Sequence, residues 1–345
     1  MKGILKLFLI IPILSACQQS KKAAREDITY EAFEQTTIRA MAVQDDQTVW
    51  VGGPGGFYAF TQDGGDSWTQ GKIEAASGLD FRSIALLDKK TVLLLTAGSP
   101  ALIFKSVDQG AHWEQVFKDP DSLAFFDSMV FSDARRGMAF GDVKAGCFNV
   151  ITTRDGGDSW QRLPCATLPV PREGEVAFAS SNTCIATQGE HVWIGTGGQY
   201  ARVLRSPDFG QTWETASTPI IQGNTMTGIY SIDFYNDKLG VIAGGDYENQ
   251  SNKQENLALT TDGGVSWKRV DHTSLPGYIS CIQFAHKDNG NTLYAAGYEG
   301  LYISRDQGQQ WENLVKGDLT TLRESASGDY LWYAGRGILG KIKIK

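Results

Sequence analysis

Six copies of one short phrase constrain what this chain can fold into more than any other feature. They are Thr61-Gln-Asp63-Gly-Gly65-Asp-Ser-Trp68, Ser106-Val-Asp108-Gln-Gly110-Ala-His-Trp113, Thr153-Arg-Asp155-Gly-Gly157-Asp-Ser-Trp160, Ser206-Pro-Asp208-Phe-Gly210-Gln-Thr-Trp213, Thr260-Thr-Asp262-Gly-Gly264-Val-Ser-Trp267 and Ser304-Arg-Asp306-Gln-Gly308-Gln-Gln-Trp311. The aspartates are 45, 47, 53, 54 and 44 residues apart. A period of this size means one supersecondary unit stacked many times. In each copy the Asp carboxylate is expected to fold back on nearby backbone N–H groups. The Gly supplies a backbone angle that other residues resist. The Trp opens the next strand and buries its ring between neighbouring units. Each phrase is a tight turn with its own anchor.

Between phrases the pattern repeats: a short alternating strand A, a turn, an apolar strand B ending near Gly, a hairpin, strand C, the phrase, strand D. Strand A is expected to start near Ile38, Phe81, Phe126, Glu175, Ile229, Ile279 and Thr320. Seven A strands and seven B strands stand against six phrases. The seventh unit ends after strand C, and Ile28-Thr-Tyr-Glu-Ala-Phe-Glu34 alternates like a strand ahead of the first unit. The expectation is an all-β, seven-bladed β-propeller, its ring closed by this N-terminal strand completing the last blade. The domain is read as residues 28–345.

The first residues read as an export signal. Lys2 and Lys6 precede the apolar run Leu5 to Leu14, which is shorter than the roughly 20 residues of a spanning helix. Leu14-Ser-Ala-Cys17 resembles the bacterial lipobox, which implies removal of residues 1–16 and lipidation of Cys17; an ordinary signal peptide is the alternative. Residues 17–27 then form a tether. Gln18 follows Cys17 where enteric bacteria place Asp for inner-membrane retention, so the expectation is a lipid-anchored envelope protein of the outer membrane. The formal net charge is −7, which argues against nucleic acid as partner. A monomer is expected. Cys147 and Cys165 fall roughly opposite each other across the hairpin of the third phrase; an exported protein permits a disulfide, with two free thiols the alternative. Cys184 and Cys281 read as buried apolar residues.

Function is expected on the face opposite the phrases, where D-to-A links and B–C hairpins meet. The residue entering strand A is Arg39, Arg82, Asp127, Glu175, Tyr230, Ser280 and Thr320 in turn, and the residue after strand B includes Asp142, Asp246, Tyr298 and Arg336. Residues that pack must stay alike from blade to blade, and these do not. They suit a surface shaped for a partner, or they neutralise one another around a watery channel. A long insertion after strand B of unit 5, from Asp246 to Asn256, overhangs the same face. Asp127 and Glu175 are the fallback acid/base pair should the chain be catalytic. No zinc, P-loop, flavin, nicotinamide or haem motif is visible, so no cofactor and no metal is expected.

The phrases resemble Asp-boxes, also called BNR repeats. With Gly174-Glu175-Val-Ala-Phe, Gly197-Gly198-x-x-Ala201-Arg202, Gly228-Ile-Tyr-Ser-Ile-Asp-Phe234 and Gly244-Gly-Asp-Tyr247, the chain resembles the photosystem II stability/assembly factor-like proteins, in their non-photosynthetic bacterial branch. That resemblance implies a seven-bladed propeller acting as a scaffold for an envelope protein or small ligand, Arg202 included in its charged face. Some members are labelled oxidoreductases, which no motif here supports. The alternative is a glycoside hydrolase acting on a glycan, since sialidases and xyloglucanases also carry Asp-boxes. Sialidases have six blades and an Arg-Ile-Pro near the first A strand; here Arg39 is followed by Ala40-Met41, and no Tyr–Glu nucleophile pair can be assigned beside Arg82 and Arg336.

Overall fold

Apolar strands punctuated by glycine turns fold into seven antiparallel sheets in the computed structural model, which describes residues 27–30 and 33–344. The signal segment, Cys17 and nearly all of the tether lie outside the described residues. The innermost strands are Ala40–Val43, Asp80–Leu86, Phe126–Phe131, Ile185–Gln188, Thr227–Phe234, Ile279–Phe284 and Leu319–Glu324. Each contacts the next, and the seventh contacts the first, so the ring is closed. Among the described residues, helix is confined to single 3₁₀ turns such as Glu74–Ala76 and Cys165–Thr167. Apolar clusters sit between successive blades. One joins Trp50 and Tyr58 of blade 1 to Leu94 and Phe104 of blade 2.

Closure is made as the repeat count requires. Asp27–Thr29 pairs antiparallel with Ile338–Lys343, Ile28 lying opposite Lys341, and so forms the outer strand of blade 7. The strand is shorter than expected from Ile28–Glu34. Phe33 lies fully in the core between blades 7 and 1. Tyr30 stacks on Trp332 at 5.9 Å, and Phe33 meets Trp68 edge-on at 5.1 Å.

The six phrases sit at the turns between third and fourth strands and share one hydrogen-bond scheme. In the third, the Thr153 hydroxyl donates to Asp155 Oδ1 (2.7 Å) and accepts from Gly157 N–H (2.9 Å). Asp155 also accepts from the Ser159 N–H at 3.0 Å and hydroxyl at 2.6 Å. The glycine is required twice over. Gly157 has φ +84°, and a Cβ there would lie 2.3 Å from Leu93 of the preceding blade. Backbone angle alone is not the reason, since Gln109, Phe209 and Gln307 hold positive φ one position earlier. Each phrase tryptophan packs back on the previous blade, as Trp113 does on Tyr58 at 5.0 Å.

One inner strand departs from expectation. Glu175 does not begin the inner strand of blade 4; Ile185–Gln188 is that strand. Glu175–Val176 is a two-residue strand that pairs with Gly197–Gly198. Residues 163–184 form a strap between blades 3 and 4. It is fastened near its start by a disulfide from Cys165 to Cys147. Cys184 and Cys281 are free and buried.

Candidate functional site

Five inner strands carry the same irregularity. Their pairing with the second strand shifts between Phe81 and Ser83, Phe126 and Ser128, Ile229 and Ser231, Ile279 and Cys281, and Leu319 and Thr321. The residue skipped is a β-bulge, left out of the ladder and re-aimed. These residues are Arg82, Asp127, Tyr230, Ser280 and Thr320, all of them positions singled out by sequence. Two serve the ring itself. Ser280 Oγ donates to Leu319 O at 3.1 Å, and Thr320 Oγ1 bonds Ile38 O at 2.5 Å, each reaching the next blade.

The strap fills the channel that the inner strands enclose. Arg82 Nη1 donates to Ala179 O (3.1 Å), and Ser180 Oγ meets Tyr278 Oη (2.9 Å). Ser181 Oγ donates to Ser280 O (2.6 Å), while Arg323 Nη2 donates to Ser181 O (3.1 Å). Asn182, at φ +62°, accepts from Ser83 Oγ and from Met129 N–H (3.2 Å) through Oδ1 and donates to Ile84 O (3.3 Å) through Nδ2. Thr183 Oγ1 meets Ser231 Oγ at 2.8 Å. Five blades besides the strap's own are thereby tied to it. Where the strap passes, protein occupies the channel that one of the two sequence readings left to water.

Above the plug lies an open cleft of ≈ 460 Å³, lined by Arg39, Arg82, Asp127, Asp142 and Tyr230 together with Val176–Ser180, Met226, Tyr247 and Tyr278. A second hollow of ≈ 320 Å³, with Asp233, Gln283 and Arg323 on its walls, lies beyond the plug. Five of the sequence-chosen residues therefore meet in one place. Arg82 pairs with Asp80 at 3.3 Å, and burial, then the neighbouring Arg39, holds its pKa below the usual value. Burial, then Asp142, pushes the Asp127 carboxyl well above the ordinary range. Its Oδ2 is buried without a hydrogen-bond partner among the described residues. Burial also raises Asp142, which accepts the Ala177 N–H at 3.0 Å and so holds the strap at the cleft edge.

The remaining sequence choices fall elsewhere. Glu175 and Arg202 are buried against each other, with side-chain exposures of 0% and 7%, and Arg202 also donates to Val170 O at 3.1 Å. They hold the base of the strap, and this internal pairing removes Glu175 from any acid/base role with Asp127. Asp246 caps the N–H groups of Glu248 and Asn249 at 3.0 Å each; its neighbour Tyr247 is the residue that reaches the cleft. Tyr298 bonds Glu299 at 2.8 Å and packs against the Phe178, Tyr230 and Tyr278 cluster behind the cleft, and Arg336 pairs with Asp318 at 3.2 Å. Sequence reasoning missed Phe178, Met226 and Tyr278. The interval of 53 residues between the third and fourth phrases, longer than the 45 and 47 before it, was the available signal for the strap that brings Phe178 in.

Fold and site define a closed seven-bladed propeller whose plugged channel leaves one cleft on the face away from the repeated turns. The chain resembles propellers of the photosystem II assembly factor type. A family model described as photosynthesis system II assembly factor YCF48 matches residues 198–339. The chain is 24% identical over 263 residues to the photosystem II assembly lipoprotein Ycf48 of Synechococcus sp. (strain CC9902), covering 75% of this chain and 69% of that protein. It superposes on a structure of YCF48 bound to D1 peptide with TM-score 0.65 at 16% identity, covering 93% of this chain and 97% of the other. A GH74 xyloglucanase from Xanthomonas campestris matches at TM-score 0.63 and 14% identity, covering 92% of this chain and 53% of the other. At these identities the structural likenesses speak for the fold.

Proposed function

We propose that this chain is a non-catalytic binding and assembly scaffold of the bacterial envelope, anchored through a lipid on Cys17, that holds a protein partner at the cleft. The carrying observation is the cleft itself, where the bulges at Arg82 and Tyr230, the entry to the first inner strand at Arg39 and the strap at Phe178 meet in one concave site. The Ycf48 relative is named an assembly lipoprotein, and YCF48 has been seen with a D1 peptide. Both support a protein as partner here. Residues 1–16 act as leader and 17–27 as tether, and the lack of an Asp after Cys17 favours the outer membrane.

The glycoside hydrolase reading loses its acid/base pair, because Glu175 is consumed by Arg202. Crosslinking in intact envelopes followed by pull-down should capture a defined protein, and capture should fall when Arg39→Glu is introduced. Turnover of fluorogenic sialosides or glucans that disappears with Asp127→Ala would overturn the scaffold reading.

A further inference from the structure

The hollow beyond the plug, at the other end of the channel from the cleft, has two unlike walls. Leu86, Val130 and Phe131 of blades 2 and 3 line one side, each partly exposed. Across the ring stand Asp233 of blade 5, Gln283 of blade 6 and Arg323 of blade 7, also partly exposed. Asp233 and Arg323 are the only charged residues that line the hollow, and neither is in an ion pair among the described residues. Glu324, next to Arg323 in the chain, is buried and engaged by His286, whose N–H and Nδ1 lie 2.6 and 3.2 Å from Oε2. The neutral polar groups are taken as well. Asn182 is bonded to blades 2 and 3 through both ends of its amide. Gln283 Oε1 accepts the Glu324 N–H at 3.2 Å, and Thr187 Oγ1 donates to His191 O at 2.8 Å. The two charged groups are held in place without being saturated. Asp233 Oδ2 accepts the Phe284 N–H at 2.7 Å, and a carboxylate has about four acceptor positions. Arg323 donates from Nη1 to Thr321 Oγ1 and from Nη2 to Ser181 O, each at 3.1 Å, and its Nε donates to nothing among the described residues. Burial raises the Asp233 carboxyl above its ordinary value against the pull of the Phe284 and Phe234 N–H groups, so a cation beside it would stabilise the ionised form.

We propose that this hollow binds a free α-amino acid with an apolar side chain, its ammonium on Asp233, its carboxylate on Arg323 and its side chain against Leu86 and Phe131. The site is separate from the cleft and goes beyond the scaffold reading. A simple anion is opposed by Asp233 and a simple cation by Arg323, whereas a zwitterion offers each group its opposite charge. A sugar would find the neutral hydrogen-bonding groups already taken. The hollow, at ≈ 320 Å³, lies at the low end of the range of about 300–1,000 Å³ for ligand pockets, which suits a ligand of this size.

The test is isothermal titration calorimetry of the mature protein with L-leucine and L-phenylalanine, beside leucinamide, which lacks the carboxylate, and N-acetyl-leucine, which lacks the ammonium. Leucine or phenylalanine should bind saturably, and the two clipped ligands at least about tenfold more weakly. Arg323→Gln should abolish the preference for leucine over leucinamide. Because Arg323 also holds the plug, the deciding variant is Asp233→Asn, which keeps an oxygen for the Phe284 N–H. It should weaken leucine at least about tenfold without weakening N-acetyl-leucine, a pattern that a misfolded protein cannot give, and its thermal melt should stay cooperative. No saturable binding of either amino acid at millimolar concentration, equal affinity for a clipped ligand, or unchanged leucine binding by a folded Asp233→Asn protein overturns the proposal.

Discussion

Aspartate behaves in opposite ways at two kinds of position in this ring. In the turns it is solvated and surrounded by donors. The Ser266 hydroxyl, then the Ser266 N–H, holds Asp262 down at about 2. Asp127 sits at a bulge with no donor on Oδ2, and burial pushes it up. The consequences for stability run in opposite directions. A turn carboxylate stabilises the fold above its ordinary pKa of 3.8, and that contribution is lost as pH falls towards about 2. Asp127 is without cost below 3.8, where both folded and unfolded chains hold the proton; above it the unfolded chain ionises first, so folding becomes less favourable as pH rises. Asp127→Asn should therefore melt like wild type near pH 3 and above it at pH 7, the gap widening with pH. A gap that stays constant, or a less stable variant at pH 7, would show that ionised Asp127 is not costly. The sequence could place both kinds of aspartate at turns and strand starts, but only depth of burial separates them.

The strap is the element that turns a repeat into a particular site. Its local pattern misleads: Gly174-Glu-Val-Ala-Phe178 alternates as an inner strand should, whereas the real strand Ile185–Gln188 is short and follows a polar run. Repeat spacing and turn chemistry were enough for the other six blades because those follow from local rules. The strap obeys contacts with five other blades, and no local pattern carries that information. Its base depends on Glu175 and Arg202. Breaking a buried pair strands a charge, so Glu175→Ala should cost about 3–5 kcal/mol in urea unfolding. Replacing both, Glu175→Leu with Arg202→Met, should recover most of that loss, since a packed apolar pair often equals a buried ionic one. A double variant as weak as the single one would mean that the hydrogen bond from Arg202 to Val170 O, rather than the pairing of charges, holds the strap.

At the scale of the whole molecule, six turns in seven blades make the two ends of the chain depend on each other. Without Asp27–Thr29 the strand Ile338–Lys343 becomes an open sheet edge, a template for pairing with another chain. Without Tyr30 and Phe33 the seam between blades 7 and 1 also loses rings that touch Trp332 and Trp68. Truncating a buried Phe to Ala alone costs about 3–5 kcal/mol. A protein beginning at residue 27, free of leader and tether, should melt with the full mature chain, because the ring keeps every strand. One beginning at residue 37 should melt far lower and self-associate through blade 7, and a synthetic peptide of residues 27–36 should restore both properties. Differential scanning calorimetry with light scattering reads the two together. If the shorter protein melts cooperatively at the wild-type temperature, the blades hold one another without closure, and the N-terminal strand is an ornament of the seam instead of its clasp.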